Sequence, residues 1–307
     1  MHKIAFIVPT KDRPDDLRVM LNSLSVQTRK PEQIIVVDGG TPGIKHIVDE
    51  FNGLNLEYTR VIPPSLSRQR NVGVSMLNDQ MTLVGYLDDD LELEPDAIEK
   101  MVDFWDKEPG EYGGAAFAIT DAGTPNSKSL RVKQFFGLDA LRRGRVLSTG
   151  WVSMLGQPDE TMDVDWLCGG ATVWKREVVD SFPYDEWFQG TGFMEDVDFS
   201  FNVRSRYKLS LLADAKTEHH QHPVRSDRYI LLGKWQIVNR LYFVRKYQCR
   251  GLSVMKAWFG NINVVLLNLG MALIHFDKHR LYCAYGNVLG IWVSLFCKDV
   301  QLGGHLK

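Results

Sequence analysis

The chain has few cysteines, and their spacing gives them no structural or catalytic role. Four cysteines occur in 307 residues, and none forms a CxxC pair or shares a zinc-type spacing with histidine. We therefore expect reduced thiols in a cytoplasmic protein. The sequence also lacks a nucleophilic serine or cysteine motif, so it gives no sign of a covalent intermediate.

Several other signals are missing. Internal repeats, heptad runs and low-complexity segments are absent, and the apolar stretch near the N-terminus is too short for a signal peptide. We find no recognised nucleic-acid-binding motif, and the isoelectric point of about 6.5 is not that of a nucleic-acid binder. These absences exclude nucleic acid from the expected partners.

What is present is an ordinary globular composition with an uneven distribution of charge. Apolar residues make up 44% and charged residues 24% of the chain, which is enough for a sizeable core. The net charge is -2, yet residues 225–307 carry 12 Lys and Arg against 3 Asp and Glu. We predict a main domain over residues 1–225 and a basic helical region over residues 226–307. Such a region favours an anionic partner, which would place a cytoplasmic protein peripherally at the inner face of the membrane.

Two runs in the C-terminal region, at residues 257–276 and 281–297, lack Lys, Arg, Asp and Glu. The first run reaches the length of a membrane span. Its asparagines and glycines argue against a lipid-surrounded helix. We expect helices that pack on the core or lie in the membrane surface, with true spans as the alternative.

The N-terminal region alternates strand and helix patterns. Four apolar runs end in polar or turn residues and are separated by helical periodicities: "KIAFIVPT", "EQIIVVDGG", "LEYTRVI" and "TLVGYLDDD". This order predicts an α/β fold with a mainly parallel sheet flanked by helices. Ligands of such sheets bind beyond the carboxyl ends of the strands, so we expect Pro9, Thr10, Asp38 and the carboxylates after the fourth strand to line one crevice.

Asp88, Asp89 and Asp90 follow the fourth predicted strand without interruption. Carboxylates at the mouth of a crevice are hard oxygen ligands that suit Mg²⁺ or Mn²⁺. A divalent ion held there would also take phosphate oxygens and neutralise charge on a leaving group. The alternative is a solvated acidic turn, since Glu92 and Glu94 continue the negative charge.

At this point the chain resembles a known family. Six motifs occur in the order of the family 2 inverting glycosyltransferases with the GT-A fold, over roughly residues 3–225: "IVPTKDR", "IIVVDGG", "LSRQRNVG", "GYLDDDLEL", "WLCGGATVWKRE" and "GFMEDVDFSFNVR". The family's aspartate-x-aspartate motif binds the metal and the diphosphate of a nucleotide sugar. By this resemblance Asp90 is a direct metal ligand, Asp88 lies nearer the ribose, and Asp89 fills the variable middle place.

The resemblance also implies a nucleotide site. Asp38 corresponds to the aspartate that accepts the N3–H of uracil or thymine, which points to a UDP- or dTDP-sugar donor. A capping aspartate before the Gly-Gly turn is the alternative. Pro9 and Thr10 would approach the base or ribose, and Arg13 is placed less firmly.

Arg70 and Asn71 are expected to open a helix at the crevice. A helix N-terminus that carries an arginine suits an anionic nucleotide. The alternative is a surface helix with solvated arginines.

"GFMEDVDFSFNVR" carries the expected reaction. Glu195 and Asp196 begin a predicted helix, where the helix dipole favours carboxylates, so capping alone is an alternative. An inverting transfer needs one general base to deprotonate the acceptor hydroxyl. The family places this base at the second acid of the pair, which is Asp196, with Glu195 shaping the acceptor side.

Two further motifs complete the predicted site. The family often has a histidine after the last strand of this domain that completes metal coordination, and His219 fits best, ahead of His222 and His220. "WLCGGATVWKRE" indicates a buried strand, with Gly169 and Gly170 where the backbone approaches sugar or acceptor, or else plain strand packing.

Together these features predict a metal-dependent inverting glycosyltransferase. It would move a sugar to a hydroxyl of a glycan or of a lipid-linked acceptor, with Mn²⁺ or Mg²⁺ as cofactor. The alternatives are a sugar-phosphate nucleotidyltransferase and an inactive nucleotide-sugar-binding or membrane scaffold. The absence of glycine from "VPTKDRP" counts against the nucleotidyltransferase, which normally has a glycine-rich loop after its first strand.

Overall fold

A computed structural model describes residues 2–108, 110–121, 127–190, 192–220, 222, 226 and 228–296. The chain divides into two compact units. The first comprises residues 1–124 and 155–221, and the second comprises residues 125–154 and 222–307. Residues 125–154 thus belong with the C-terminal helices, whereas the sequence division at residue 225 assigns them to the catalytic domain. The domain boundaries themselves stay a prediction.

The first unit contains a nine-stranded sheet and six helices within the described residues. Its strands are β1 (Ile4–Thr10), β2 (Gln33–Asp38), β3 (Leu56–Arg60), β4 (Leu83–Leu87), β5 (Leu91–Leu93), β6 (Tyr112–Ile119), β7 (Met162–Val164), β8 (Ala171–Lys175) and β9 (Lys208–His219). Its helices are α1 (Pro14–Ser25), α2 (Lys45–Val48), α3 (Leu66–Ser75), α4 (Ala97–Lys107), α6 (Arg176–Ser181) and α7 (Glu195–Val203). The second unit contains α5 (Ser127–Phe135), α8 (Arg228–Lys246), α9 (Val254–His275) and α10 (Lys278–Phe296).

The sheet runs in the order β3-β2-β1-β4-β8-β6-β9-β5, and β7 pairs with β9. The first four strands are parallel, with Thr10 beside Asp38 and Ile7 beside Tyr86. The other half is mixed, because β8 enters antiparallel between β4 and β6 while β6 and β9 run parallel. The predicted α/β class is confirmed. The mixed half was not foreseen because a local apolar pattern does not show the direction in which a strand such as β8 pairs, and β5 and β7 have only three residues each.

The parallel strands are apolar on both faces, as strands covered by helices on either side must be. All seven residues of β1 are buried, and they alternate between two core clusters. Ile4, Phe6 and Val8 pack with α1 and α4 on one face, while Ala5 and Ile7 pack with the core around Trp174 and α7 on the other. This two-sided burial holds the strand ends rigidly in one row.

One predicted strand is shorter than the pattern suggested. "WLCGGATVWKRE" forms strand only from Ala171, and Gly169 and Gly170 lie in the turn before it. The glycines lack the side-chain packing that would extend the pairing. At these two glycines the chain lies outside the sheet and passes the candidate site.

The second unit is helical, as the sequence predicted for its C-terminal part. In the described part of the chain, α9 is the one helix long and apolar enough to cross a membrane, with a mean hydropathy of 1.6 and 39% of its most apolar window buried. A buried core helix passes the same test, so this property alone is weak evidence for a span.

Candidate active site

The candidate site lies beyond the carboxyl ends of β1, β2 and β4 and beside the first turn of α7. Asp38 is the last residue of β2, and Asp88 follows β4 directly. β1 pairs with both of these strands, so their ends adjoin. The predicted residues therefore lie at adjoining strand ends, and a ligand-binding crevice at this place stays a prediction.

The three consecutive aspartates point in different directions, and each has a cationic neighbour or a donor. Asp88 lies 3.3 Å from Arg70 Nη2, with its side chain 39% exposed. Asp89 is buried and accepts a hydrogen bond from Thr10 Oγ1 at 2.7 Å. Arg13 Nη1 lies 3.1 Å from Asp89 and 2.8 Å from Asp90. These contacts relieve the repulsion between like charges that makes such a triplet costly.

Asp89 is thus a structural member of the cluster in this conformation. Burial raises the pKa of its carboxyl to about 7, although the Thr10 hydroxyl and Arg13 act in the opposite direction. The hydroxyl of Thr10 is occupied by Asp89, and its carbonyl accepts a hydrogen bond from Gln69 Nε2 at 3.0 Å. Pro9 and Thr10 are both buried. Their expected approach to a base or ribose stays a prediction, as does a nucleotide contact by Arg13.

Asp90 and His219 are two of the predicted metal ligands, and the structure brings their side chains together. Asp90 Oδ1 lies 3.3 Å from His219 Nε2, is buried, and receives no well-formed hydrogen bond. The nearby carboxylate of Asp90 raises the pKa of His219. Burial raises the pKa of Asp90, but His219 and Arg13 outweigh it and hold that pKa below its usual value. The backbone N–H of His219 donates to Asp121 Oδ1 at 3.1 Å, which fixes the end of β9.

A divalent ion bound by Asp90 and His219 would receive few of its ligands from the protein. A buried carboxylate oxygen without a donor, facing an imidazole nitrogen, is a suitable first pair of ligands. Among the described residues no three His, Cys, Asp or Glu side chains converge on one point. Water and phosphate oxygens would therefore have to complete the shell, which is how Mg²⁺ is usually bound.

The other two histidines of the motif are placed differently. His220 Nε2 lies 2.8 Å from Glu92 Oε2, on the exposed side of β5. His222 is exposed and belongs to the second unit. His220 contacts Asp90 only through its backbone N–H, which donates to the Asp90 carbonyl at 2.9 Å, whereas the His219 side chain lies beside the Asp90 carboxylate; the metal role of His219 stays a prediction.

Arg70 does not sit where the sequence suggested. α3 begins at Leu66, so Arg70 and Asn71 lie in its second turn and not at its N-terminus. The Arg70 side chain is 1% exposed, with Nη1 3.1 Å from Glu195 Oε1 and Nη2 3.3 Å from Asp88 Oδ1. Its guanidinium also lies 4.9 Å from the ring centroid of Tyr184. The expectation of a helix-terminal arginine is wrong. The Arg70 guanidinium is buried, and the carboxylates of Asp88 and Glu195 and the ring of Tyr184 take the place of water around it.

Asn71 makes different contacts from Arg70 and bonds to the backbone of Tyr184. Its Nδ2 donates to the carbonyl of Tyr184 at 2.9 Å, and its Oδ1 accepts from the N–H of Tyr184 at 2.9 Å. Nδ2 also donates to Glu186 at 3.0 Å. The amide clamps the loop that carries Tyr184 against α3, and its nucleotide-binding role stays a prediction.

Glu195 and Asp196 are the first two residues of α7, as predicted. Met194 before them has φ of 73°, which puts a non-glycine residue in the left-handed region. Asp196 is partly exposed; its Oδ1 accepts from the N–H of Val197 at 2.8 Å and its Oδ2 from Gly169 at 3.4 Å. Glu195 is buried and bound to Arg70. Burial raises the pKa of both carboxyls, and Arg70 opposes this effect.

Glycines give these side chains their space. A Cβ on Gly169 would lie 2.8 Å from Arg70 Nη1 and 2.9 Å from the Cβ of Asp196. A Cβ on Gly170 would lie 2.0 Å from the Asp88 carboxylate. The two glycines therefore allow the turn before β8 to run between the acid pair and the aspartate cluster. A direct contact with sugar or acceptor stays a prediction.

Asp38 is fully buried and is engaged by its own turn. Oδ1 accepts from the N–H of Gly40 at 2.6 Å, and Oδ2 accepts from Ile44 N at 2.9 Å and from Tyr58 Oη at 2.6 Å. The capping alternative is therefore realised. A nucleobase contact, which would need the second lone pair of Oδ1, stays a prediction.

Sequence reasoning missed residues that organise the site without carrying a motif. Gln69 Nε2 donates to the carbonyls of Thr10 and Val37, so that one buried amide joins α3 to the ends of β1 and β2. Tyr184 stacks beside Arg70 and against Phe199 of α7. Nothing in the local sequence distinguishes Tyr184 from an ordinary core aromatic.

Comparison with known proteins agrees with this fold. The solved structures similar to this chain include S. aureus TarS 1-349 in complex with UDP-GlcNAc (14% identity, TM-score 0.52, 98% of this chain and 95% of that chain). They also include mannosyltransferase PcManGT from Pyrobaculum calidifontis in complex with GDP-Man and Mn²⁺ (14% identity, TM-score 0.59, 97% and 88%). At such identities the likeness shows the fold. No curated protein sequence matches the chain significantly.

The sequence model described as "Glycosyl transferase family 2" matches residues 5–160, which is about half of the chain. The match covers the aspartate cluster, Arg70 and the parallel half of the sheet. It decides against the nucleotidyltransferase and the scaffold that the sequence left open. The chain belongs to glycosyl transferase family 2, and it is a glycosyltransferase.

Proposed function

We propose that this enzyme transfers a sugar from a UDP- or dTDP-sugar to a hydroxyl of a glycan or of a lipid-linked acceptor, with inversion of the anomeric centre. The observation that carries the proposal is the difference between two adjacent carboxylates. Among the described residues Asp196 forms no ion pair, and it is partly exposed, whereas Glu195 is buried and held by Arg70. A base must reach an incoming hydroxyl, and of these two carboxylates only Asp196 is accessible.

The reaction needs no covalent intermediate. Asp196 takes the proton of the acceptor hydroxyl as that oxygen bonds to the anomeric carbon and the bond to the diphosphate breaks, which releases the nucleoside diphosphate. The raised pKa of Asp196 makes it a stronger base than a solvated aspartate, because burial disfavours its charged form. Glu195 shapes the acceptor side and keeps Arg70 in place.

The donor would lie over the aspartate cluster. Asp88 is the most exposed of the three carboxylates and is oriented by Arg70, which suits a ribose contact. Asp90 and His219 would hold Mn²⁺ or Mg²⁺, which when bound neutralises charge on the departing diphosphate. The pyrimidine preference rests on Asp38. Similar structures hold UDP-GlcNAc in one case and GDP-Man in another, so guanine is the natural competitor in a binding test.

The donor is tested by thermal shift with UDP, dTDP and GDP, each with and without Mn²⁺. A ligand at 100 times its dissociation constant stabilises a protein by about 2.7 kcal/mol, which is readily seen. Stabilisation by UDP or dTDP with Mn²⁺ supports the proposed donor. A response to GDP alone would overturn the pyrimidine assignment.

The base is tested by Asp196→Asn, with Glu195→Gln as the comparison and Asp103→Asn, an exposed residue of α4, as the control. Turnover of Asp196→Asn should fall by roughly 10² to 10⁴ with nearly unchanged donor affinity, because the base acts only in the transition state. Release of the nucleoside diphosphate measures turnover. If Glu195→Gln loses more than Asp196→Asn, Glu195 is the base; if both retain turnover, the acid pair is only a helix cap.

A further inference from the structure

The C-terminal helices expose large apolar side chains along their outer faces. On α9 the exposed residues recur every three or four positions, which is one face of a helix. They are Met255, Phe259, Ile262, Leu266, Leu269 and Leu273. We call these six residues the α9 face. On α10 the exposed apolar residues include Leu281, Tyr285, Val288, Trp292 and Leu295. Monomeric proteins rarely leave so large an apolar surface in water.

The polar residues of the same helices point inward. Asn268 Nδ2 donates to Asn287 Oδ1 at 2.9 Å, and Asn287 Nδ2 donates to the carbonyl of Gly233 at 2.8 Å. Asn263 Nδ2 donates to the carbonyl of Phe136 at 3.1 Å. A helix in water buries its apolar face and exposes its polar one. Here that distribution is inverted.

Helices α8 and α10 pack closely against each other through glycines. Gly286 and Gly290 are four residues apart, and a Cβ on Gly286 would lie 2.0 Å from the carbonyl oxygen of Ile230. A Cβ on Gly233 would lie 2.2 Å from the carbonyl of Cys283. Small residues that let helix backbones touch are typical of helices that associate in lipid, where no hydrophobic force drives them together.

The charge around this surface is predominantly positive. Residues 228–296 contain nine Lys and Arg against a single acidic residue, Asp277. Lys256, Lys278 and Arg280 are exposed at the ends of α9 and α10. Arg240, by contrast, is buried with its guanidinium 3.5 Å from the centroid of Trp151, so this basic residue does not face a partner.

We propose that the α9 face and the exposed apolar side of α10 dock into the interface of an anionic lipid bilayer. Amphipathic helices with basic residues bind membranes in this way, with one side in the acyl boundary and lysine and arginine at the headgroups. The buried asparagines keep the inner side of α9 on the protein, so α9 lies at the surface and is not surrounded by lipid. A second copy of the chain fits less well, because a two-fold contact through this surface would bring basic ends against basic ends. The proposal goes beyond sugar transfer and does not depend on it.

The test is co-sedimentation of the full chain with phosphatidylcholine vesicles, with and without phosphatidylglycerol. Leu266→Gln and Leu273→Gln should each weaken binding about tenfold, since burying a leucine is worth at least that much. Leu141→Gln is the control, because Leu141 is an exposed leucine of the same unit outside these helices. Phosphatidylglycerol should strengthen binding. Added salt should reduce only this increase in binding, because salt screens the attraction between charges.

A second measurement does not depend on any loss of binding. Trp292 on α10 is 56% exposed, so brominated lipids should quench part of the protein fluorescence, and Trp292→Phe should remove that part. Equal binding of the leucine variants and the control, or unchanged quenching in Trp292→Phe, would overturn the proposal. A wild-type dimer that ignores vesicles and dissociates in Leu266→Gln would assign the surface to a second copy instead.

Discussion

Arg70 joins the two halves of the active site, and its replacement gives the sharpest test of the structure. Arg70→Met keeps most of the side-chain volume and removes the charge. Glu195, with a side chain 8% exposed, is then left buried without its partner at 3.1 Å. Removing one member of a buried ion pair costs about 3–5 kcal/mol. The pair with Asp88 adds little, because Asp88 is 39% exposed and water can replace the arginine.

We therefore expect Arg70→Met to lower the free energy of unfolding by about 3 kcal/mol and the melting temperature by about 10 °C. Arg68→Met, an exposed arginine of the same helix, is the control and should change neither. Urea denaturation measures the free energy, and thermal denaturation follows the midpoint.

The dependence of this loss on pH separates a charge effect from a packing effect. Burial already raises the pKa of Glu195, and Arg70 partly opposes that, so the pKa rises further in the variant. A carboxyl with a raised folded-state pKa binds more protons folded than unfolded, so stability falls as pH rises from its ordinary value through the raised one. The penalty of Arg70→Met should therefore be small in acid and should grow as Glu195 ionises.

A double-mutant cycle completes the test. In Arg70→Met with Glu195→Gln no buried charge of the pair remains, so the double variant should be clearly more stable than the sum of the single losses predicts. Losses that add to within about 0.5 kcal/mol, or a penalty that does not change with pH, would refute the ion pair as the reason for burying Arg70.

Two further predictions concern the donor side. Asp90→Ala should abolish Mn²⁺-dependent stabilisation by UDP and should also lower the melting temperature of the free protein somewhat, because it removes the ion pair with Arg13; undiminished UDP affinity with Mn²⁺ would contradict the metal assignment. Gly170→Ala should push the Asp88 carboxylate away, since the new Cβ would lie 2.0 Å from it, and so weaken donor binding by about tenfold at nearly constant stability. Titration calorimetry with UDP and Mn²⁺ measures both, and unchanged affinity in Gly170→Ala would mean that Asp88 is not needed for the donor.

Local patterns were sufficient for the elements that carry long apolar runs. β1, β2 and β4 are buried on both faces, and each ends where a polar or turn residue stops the run. α7 begins at Glu195, as the paired carboxylates predicted. The pattern predicted a helix from Ser67, one residue after its observed start at Leu66, but Arg70 and Asn71 were wrongly expected to open it.

Roles that depend on distant partners could not be read in the same way. Arg70 and Glu195 are 125 positions apart, and Asp90 and His219 meet only because β5 pairs with β9. The sequence suggested that Arg70 opens a helix and faces a nucleotide, or else is solvated on a surface helix, since a charged residue without visible partners is normally exposed. Arg70 can be buried because the fold places two carboxylates and an aromatic ring around its guanidinium.

The sequence by itself determined the alternation of strands β1 to β4 with helices, the three aspartates after β4, the acid pair at the start of α7 and the basic character of the C-terminal region. These are properties of short segments, set by periodicity, turn residues and charge. The tertiary structure decided which carboxylate is buried against Arg70, which histidine lies beside Asp90, and which sides of α9 and α10 face outward. Each of these depends on side chains from segments far apart in the chain, and burial and electrostatic environment exist only after those segments have packed together.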